Sequence, residues 1–228
     1  MSKEKLIVAL DTGDLKKARC IVNELSGIVK IFKVGSQLFA RYGPKAVDMV
    51  NKRNCKVFLD LKFHDIPNTV KSAVESAKEL GVFMLTLHTL GGKEMLKAAS
   101  GVPKRPKLVG VTVLTSLNNE DLSYLGINRG VEDEVLELAR LAKESELDGA
   151  VCSPKEIALI RKKMGKDFII VAPGIRLIGE KTSDQKRVLT PKEAIKLGAD
   201  YIVVGRPIFE AKEPIKAAEE IVKEISDE

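Results

Sequence analysis

The residues that could do chemistry lie together in one segment, from Asp60 to Thr69, which reads DLKFHDIPNT. It follows an apolar run at residues 57–59, which predicts the end of a buried strand, and strand side chains alternate between two faces. Asp60 and Lys62 are therefore expected on one face. Charges at the end of an apolar strand are unfavourable unless they are paired or take part in chemistry. With Asp65 three residues further on, the pattern indicates either a structural ion pair or a site that holds an ammonium between carboxylates.

Other polar residues end or interrupt apolar runs. Lys33 lies inside the second run and needs an anionic partner, for which Asp60 and Asp65 are the natural candidates. Asp11 ends the first run, and taken alone it is more typical of a turn or a helix cap. His88 ends the fourth run, and no second histidine is expected nearby, which favours a hydrogen-bonded core residue over a metal ligand or a catalytic group.

The last two predicted strands are followed by segments that could bind phosphate. Gly205-Arg206 follows the eighth strand, and Arg176 follows the seventh. In barrels these two loops often bind phosphate through backbone N–H groups at the start of a helix. The stretch at about residues 175–190 is polar and long for a connection between a strand and a helix, and we expect it to close over the site as a lid.

The elements that must position these residues follow from hydrophobic periods of two and of 3.6, which alternate along the chain. Eight strand–helix units within residues 1–228, without a linker, predict a single α/β domain folded as a (β/α)8 TIM barrel. A doubly wound open sheet is the alternative. The barrel is favoured because polar residues end six different strands, whereas an open sheet gathers them at one switch point. The strands are expected at residues 6–10, 31–35, 57–62, 84–89, 108–115, 149–153, 168–172 and 201–204.

Composition narrows the class of protein. With 44% hydrophobic and 31% charged residues, the chain is typical of a globular protein, and no apolar run is long enough to span a membrane. The net charge of +6 is spread over interleaved Lys and Glu, Trp is absent and aromatic residues are 4%, so a nucleic-acid partner is not expected. Three widely spaced cysteines, without a metal-binding pattern, favour reduced thiols in the cytoplasm.

These motifs resemble those of the orotidine 5′-monophosphate decarboxylases of the bacterial type. DLKFHDIPNT is similar to the family signature Asp-x-Lys-x-x-Asp-Ile-x-x-Thr. The resemblance implies decarboxylation of orotidine 5′-phosphate to UMP, the last step of pyrimidine synthesis, with no metal and no cofactor. It extends over nearly the full length through VALD at Asp11, FKVG at Lys33, TVLTS at Thr115, APGIR at Arg176, Asp184-Gln185 and VGRPI at Arg206.

The resemblance also implies a role for each site residue. Lys62 would protonate the C6 carbanion as carbon dioxide leaves, and Asp60 would lie against the departing carboxylate. Both would belong to a charged tetrad with Lys33 and Asp65, in which Asp65 comes from the second subunit of a homodimer with shared active sites. The substrate-binding residues would be Asp11, Lys33, Asp65 and Thr69 at the ribose, Thr115 and Gln185 at the pyrimidine, and Arg176, Gly205 and Arg206 at the phosphate.

Two alternatives remain open at this point. Metal-dependent sugar-phosphate lyases of the same suprafamily place a magnesium-binding glutamate in the second strand, where this chain has Lys33, and EDTA would abolish their activity. A nucleotide- or RNA-binding protein without enzymatic activity predicts clustered Lys and Arg with exposed aromatic residues. The sequence shows neither feature, and that alternative gives no reason for the charges around Lys62.

Overall fold

Eight parallel strands close into a barrel in the order of the chain, so that β8 pairs with β1. The computed structural model describes residues 4–175 and 189–226. A closed sheet confirms the predicted (β/α)8 barrel, because the doubly wound alternative would leave two free edges. The strands are β1 Leu6–Ala9, β2 Ile31–Gly35, β3 Lys56–Phe63, β4 Met84–His88, β5 Lys107–Val111, β6 Gly149–Val151, β7 Ile169–Pro173 and β8 Tyr201–Val204.

Helices alternate with the strands and cover the outside of the barrel. Within the described ranges they are α1 Leu15–Leu25, α2 Ser36–Tyr42, α3 Pro44–Asn51, α4 Pro67–Glu79, α5 Gly92–Ser100, α6 Asn119–Tyr124, α7 Val131–Glu144, α8 Ile157–Met164, α9 Pro191–Lys196, α10 Arg206–Phe209 and α11 Pro214–Glu224. Asp14 caps α1 by accepting hydrogen bonds from two backbone N–H groups of the first turn. The sequence places a helix after Gly43-Pro44, and the structure adds α2 before it. No described helix is long and apolar enough to cross a membrane.

The barrel has two apolar layers, one on each face of its strands. Side chains alternate along β4, so that Met84 points into the barrel while Leu85 and Leu87 point out towards the helices. Because the inner layer fills the middle of the barrel, polar side chains beyond it are held at the carboxyl ends of the strands. The inner layer consists of Ile7, Ala9, Ile31, Phe58, Met84, Val109, Val171 and Val203.

One strand is clearly shorter than its pattern predicts. The apolar alternation continues over residues 108–115, but β5 ends at Val111. Its neighbours β4 and β6 end opposite that residue, at His88 and Val151. No strand therefore remains on either side to hold residues 112–115 in the sheet, and they form a loop at the carboxyl end of the barrel.

Two arginine–aspartate pairs tie neighbouring strands together at the amino-terminal end of the barrel. Asp148, which precedes β6, accepts hydrogen bonds from Arg105 and from a backbone N–H of β5. Asp200, which precedes β8, accepts hydrogen bonds from Arg161 and from a backbone N–H of β7. Bonds between charged groups are stronger than neutral ones. Each aspartate therefore fixes its own strand against the preceding strand.

Gly149→Ala tests the close approach of β6 and β7. A methyl group on Gly149 would collide with the backbone carbonyl of Ile169, and backbone cannot turn aside as a side chain can. We expect the free energy of unfolding to fall by about 1–3 kcal/mol, measured by urea denaturation. The matched control is Gly27→Ala, whose methyl group would meet no atom within 4 Å. Equal stability of the two variants would contradict the close approach.

Candidate active site

A cavity of about 870 Å³ opens at the carboxyl ends of the strands. Part of its wall is apolar and comes from strand ends, with Val111, Val151 and Val203 among its residues. The rest of the wall is polar and charged. A cavity with an apolar wall and a few polar groups facing its interior is typical of small-molecule binding sites. Most of the predicted site residues line it: Asp11, Lys33, Asp60, Lys62, Thr115, Gly205 and Arg206.

Four charged side chains in the cavity alternate in sign. Nζ of Lys33 lies 2.8 Å from Oδ1 of Asp11 and 3.6 Å from Oδ2 of Asp60. Nζ of Lys62 lies 2.9 Å from Oδ1 of Asp60. The Lys33 and Asp60 side chains are only 13% and 15% exposed, whereas Lys62 is 38% exposed. Lys33 and Asp60, which are largely shielded from water, each have an opposite charge close by, which offsets the cost of their partial burial.

Asp65 does not join these charges within its own chain. Of the two predicted partners of Lys33, Asp60 lies within ion-pair distance and Asp65 of the same chain does not, whereas Asp11 lies closer than either. Asp65 is exposed beyond β3, where its carboxylate accepts a hydrogen bond of 2.6 Å from the backbone N–H of the next residue. Thr69 is also exposed and does not line the cavity. The physical reason is that the chain leaves β3 before Asp65 and turns towards α4, on the outside of the barrel.

The backbone of β3 is irregular where it carries the site. Lys62 has a φ of 50°, a left-handed conformation that costs a residue with a side chain about 1–2 kcal/mol. The pairing of β3 with β4 also shifts between Leu59 and Phe63. The sequence predicts regular alternation here, and the side chains of Asp60 and Lys62 do face the cavity together although the strand is not regular. Strained backbone of this kind is concentrated at functional sites.

Thr86, a fully buried residue of β4, contacts this irregular segment. Its hydroxyl accepts a hydrogen bond of 2.8 Å from the backbone N–H of Lys62 and donates one of 3.1 Å to Oδ1 of Asp60. The sequence reasoning missed Thr86. The available signal was its place two residues after Met84, which puts a polar side chain on the inward face of an apolar strand.

The turn after β1 is held by α2, the helix that the sequence pattern missed. Arg41 and Tyr42 both donate hydrogen bonds to the backbone carbonyl of Gly13, at 2.8 and 3.3 Å. These bonds fix the loop that follows Asp11. A side chain at Gly35 would begin 3.2 Å from the ammonium that pairs with Asp11, so glycine there leaves room for the ion pair.

The residues predicted to bind phosphate and base lie around the mouth of the cavity. Gly205 precedes α10, and Arg206 opens it with an exposed side chain. Thr115 is exposed in the loop after β5. These three residues reach the cavity from two different loops, as the barrel predicts. Residues 176–188, which include Arg176, Gln185 and most of the predicted lid, lie outside the described residues.

His88 and His64 stack on each other at the ends of β4 and β3, with ring centroids 5.4 Å apart and planes 24° apart, so the expectation that no second histidine lies near His88 is wrong. The sequence favours a hydrogen-bonded His88, but its Nδ1 is buried without a hydrogen-bond partner in the described part of the chain. Burial lowers the pKa of His88 from its ordinary value of 6.5, and the nearby His64 and Lys62 lower it further. The neutral ring is therefore the favoured form.

A closed (β/α)8 barrel with paired charges around a cavity at its strand ends has the architecture of the barrel enzymes. Residues 4–221 match the family described as orotidine 5′-phosphate decarboxylase / HUMPS, and the chain belongs to that family.

Relatives and solved structures agree with this assignment. The orotidine 5′-phosphate decarboxylase of Trichlorobacter lovleyi is 52% identical over 231 residues, which are 98% of this chain and 96% of that protein. The protein of the same name from Carboxydothermus hydrogenoformans is 50% identical, over 97% of this chain and 96% of its own length. The crystal structure of orotidine 5′-phosphate decarboxylase from Lactobacillus acidophilus superposes with a TM-score of 0.86 at 37% identity, covering 97% of this chain and 99% of that one.

The lowered pKa of His88 predicts a pH-dependent stability. The unfolded chain binds a proton at His88 more readily than the folded protein, so the stability due to the neutral ring is present above the ordinary pKa of 6.5 and is lost as the pH falls below it. Between roughly pH 7.5 and 5.5, wild type should therefore lose more unfolding free energy than His88→Gln, measured by urea denaturation at each pH. His64→Gln, at the exposed ring, should retain most of the wild-type slope. If the unfolding free energies of wild type and His88→Gln changed equally with pH, the lowered pKa of His88 would be contradicted.

Proposed function

We propose that this protein decarboxylates orotidine 5′-phosphate to UMP and carbon dioxide, as the last step of pyrimidine synthesis. The observation that carries the proposal is the alternation of Asp11, Lys33, Asp60 and Lys62 in the cavity at the strand ends. An ammonium fixed beside a carboxylate can stabilise a carbanion and then protonate it. The proposed reaction uses neither a metal nor a cofactor, and the chain's own lysines supply the positive charge.

Lys62 is proposed as the proton donor. As carbon dioxide leaves, the bond from C6 to the carboxylate breaks and its electron pair remains on C6. No adjacent carbonyl can take up this charge, so a cation must lie there before the reaction begins. A proton then moves from Nζ of Lys62 to C6. Lys62 is more exposed than Lys33, which leaves its ammonium accessible to a substrate.

Asp60 is proposed to lie against the departing carboxylate. Its oxygens are already engaged by the ammonium groups of Lys33 and Lys62, so its position is fixed before the substrate binds. A substrate carboxylate beside it would be repelled, and the loss of carbon dioxide would relieve that repulsion. Favourable contacts with the distant phosphate would offset the repulsion during binding.

The other predicted residues are proposed to bind the non-reacting parts of the substrate. Their location supports this assignment where they are described, because Asp11, Thr115 and Arg206 approach the cavity from three different strand ends. Arginine presents a planar, permanently charged donor group that suits phosphate. The proposed contacts are Asp11, Lys33, Asp65 and Thr69 at the ribose, Thr115 and Gln185 at the pyrimidine, and Arg176, Gly205 and Arg206 at the phosphate.

The metal-dependent lyases are not favoured, because of the side chain at position 33. They need a metal-binding glutamate in the second strand, and β2 carries Lys33 there. The ammonium of Lys33 lies between Asp11 and Asp60 and occupies the carboxylates that could have joined a metal site. A second cation at that place would be repelled at short range.

We propose that two copies of the chain form a homodimer with shared active sites. Within the described ranges, the one ion pair of Lys62 is with Asp60, and Asp65 is exposed and does not line its own cavity. Next to Asp65, Ile66 is 66% exposed, and Leu90 on the adjacent loop is 43% exposed. The two residues precede α4 and α5, which pack together, and a second copy of the chain would cover both of these exposed apolar side chains. Asp65 would then reach Lys62 of the partner subunit.

A cytoplasmic location is proposed from the state of the cysteines. Cys20, Cys55 and Cys152 are all free, as is usual in a reducing compartment. Burial raises the pKa of the Cys152 thiol, which makes it an inert part of the cavity wall rather than a nucleophile.

Chelated protein and a Lys62→Ala variant test the reaction. In excess EDTA the wild type should still remove the ultraviolet absorbance of orotidine 5′-phosphate. Lys62→Ala should lower kcat by more than about a thousandfold, because its ammonium acts on charge that develops in the transition state. UMP affinity, measured by calorimetry, should change far less, and Lys162→Ala at an exposed position should be fully active. Activity abolished by EDTA would point to the metal-dependent class of lyases. Rapid turnover by the Lys62→Ala variant would exclude Lys62 as the proton donor.

Mixing two inactive variants tests the shared site. Lys62→Ala and Asp65→Asn should each be nearly inactive as pure homodimers. After random subunit exchange at equal amounts, half of the dimers are mixed, and each mixed dimer contains one intact pair of Lys62 and Asp65. Activity should therefore return to about a quarter of wild type. Mixtures that exchange subunits, shown by mass spectrometry of tagged chains, and yet stay inactive would contradict the shared site.

A further inference from the structure

Thr86 is a polar residue at a place where the barrel is otherwise apolar. It lies in the middle of β4 and is 0% exposed. The residue before it and the residue after it, Leu85 and Leu87, pack against the helices, so Thr86 points to the inside of the barrel like Met84. A buried hydroxyl must find hydrogen-bond partners, and both partners of this one belong to the charged site.

Thr86, Asp60 and Lys62 form a closed ring of three hydrogen bonds. Its hydroxyl donates to Oδ1 of Asp60 at 3.1 Å, and the same oxygen accepts from Nζ of Lys62 at 2.9 Å. The backbone N–H of Lys62 donates in turn to the Thr86 hydroxyl at 2.8 Å. The ring therefore holds Lys62 at both its ends, by its backbone nitrogen and by its ammonium.

The ring lies where β3 departs from regular geometry. Residue pairs between β3 and β4 join Leu59 to Leu85 and Phe63 to Leu87, so β3 carries two extra residues opposite Thr86. In a regular parallel ladder the N–H of Lys62 would bond to a backbone carbonyl. Here a side-chain oxygen takes that place, and Lys62 adopts a φ of 50°.

We propose that Thr86 is a positioning residue for the decarboxylation: its hydroxyl holds the Asp60 carboxylate and the Lys62 backbone in the arrangement that aims the Lys62 ammonium. The inference rests on the proposed function of Asp60 and Lys62. Thr86 touches no reacting atom, and it acts only through these two residues. The hydroxyl, rather than the shape of the side chain, carries the effect.

Two substitutions separate the hydroxyl from the shape. Thr86→Val keeps the branched shape and removes the hydroxyl, whereas Thr86→Ser keeps the hydroxyl and removes a methyl group. A small displacement of a catalytic group can cost as much as about a hundredfold in rate. We therefore expect Thr86→Val to lower kcat by about ten- to a hundredfold with KM changed less than about threefold, and Thr86→Ser to stay within about threefold of wild type in both.

A purely structural role predicts a different pattern. It would lower the melting temperature of one or both variants and leave the kcat of the folded protein unchanged. Equal kcat values for folded Thr86→Val and Thr86→Ser would therefore overturn the inference. If Thr86→Val does not fold, Thr86→Ala removes the same hydroxyl without a bulky apolar group, and the same comparison with Thr86→Ser decides.

Wild type and Lys62→Ala are assayed beside these variants with orotidine 5′-phosphate. A wild type without decarboxylase activity would overturn the proposed function, and the Thr86 inference with it. An active wild type with an inactive Lys62→Ala, together with variants at position 86 that share one kcat, would overturn the Thr86 inference alone.

Discussion

The carboxylate of Asp60 is the group on which the rest of the site depends. It is largely buried and it receives the ammonium of Lys33 from β2, the ammonium of Lys62 from its own strand and the hydroxyl of Thr86 from β4. A carboxylate with fewer donors would be costly in that place, and two ammonium groups without it would repel each other. Three neighbouring strands must therefore be in register before the charge of Asp60 is paired. The site can form only together with the barrel.

Most of the fold could be predicted because its signals are local. The alternation of apolar residues gives the bounds of β2 and β8 as the structure has them, and Asp14 marks the start of α1. The end of β5 could not be predicted in this way. It depends on where β4 and β6 stop, at His88 and Val151, and a strand's own sequence does not record the length of its neighbours.

The site was predictable where a charge interrupts an apolar run, as at Lys33 and Lys62. Their pairing with Asp60 was also predictable, but the pairing of Lys33 with Asp11 was not, because it depends on how β1 and β2 lie side by side. The position of Asp65 depends on the direction that the chain takes beyond β3. Thr86 was missed for a different reason. Threonine is common in strands, so its presence in β4 is not a signal by itself. Its contacts with Asp60 and Lys62 depend on the irregular pairing of the neighbouring strand β3.

The arginine–aspartate pairs at the amino-terminal end of the barrel determine which side chains line the cavity at the opposite end. Asp148 and Asp200 set how far β6 and β8 stand along their neighbours, and in a strand a slip of one residue exchanges its inner and outer faces. Val151 and Val203 would then turn from the cavity towards the helices, and hydrophobic side chains of the outer layer would enter it. The identity of the atoms that a bound molecule meets is thus decided at the far end of the barrel, by residues that never contact it.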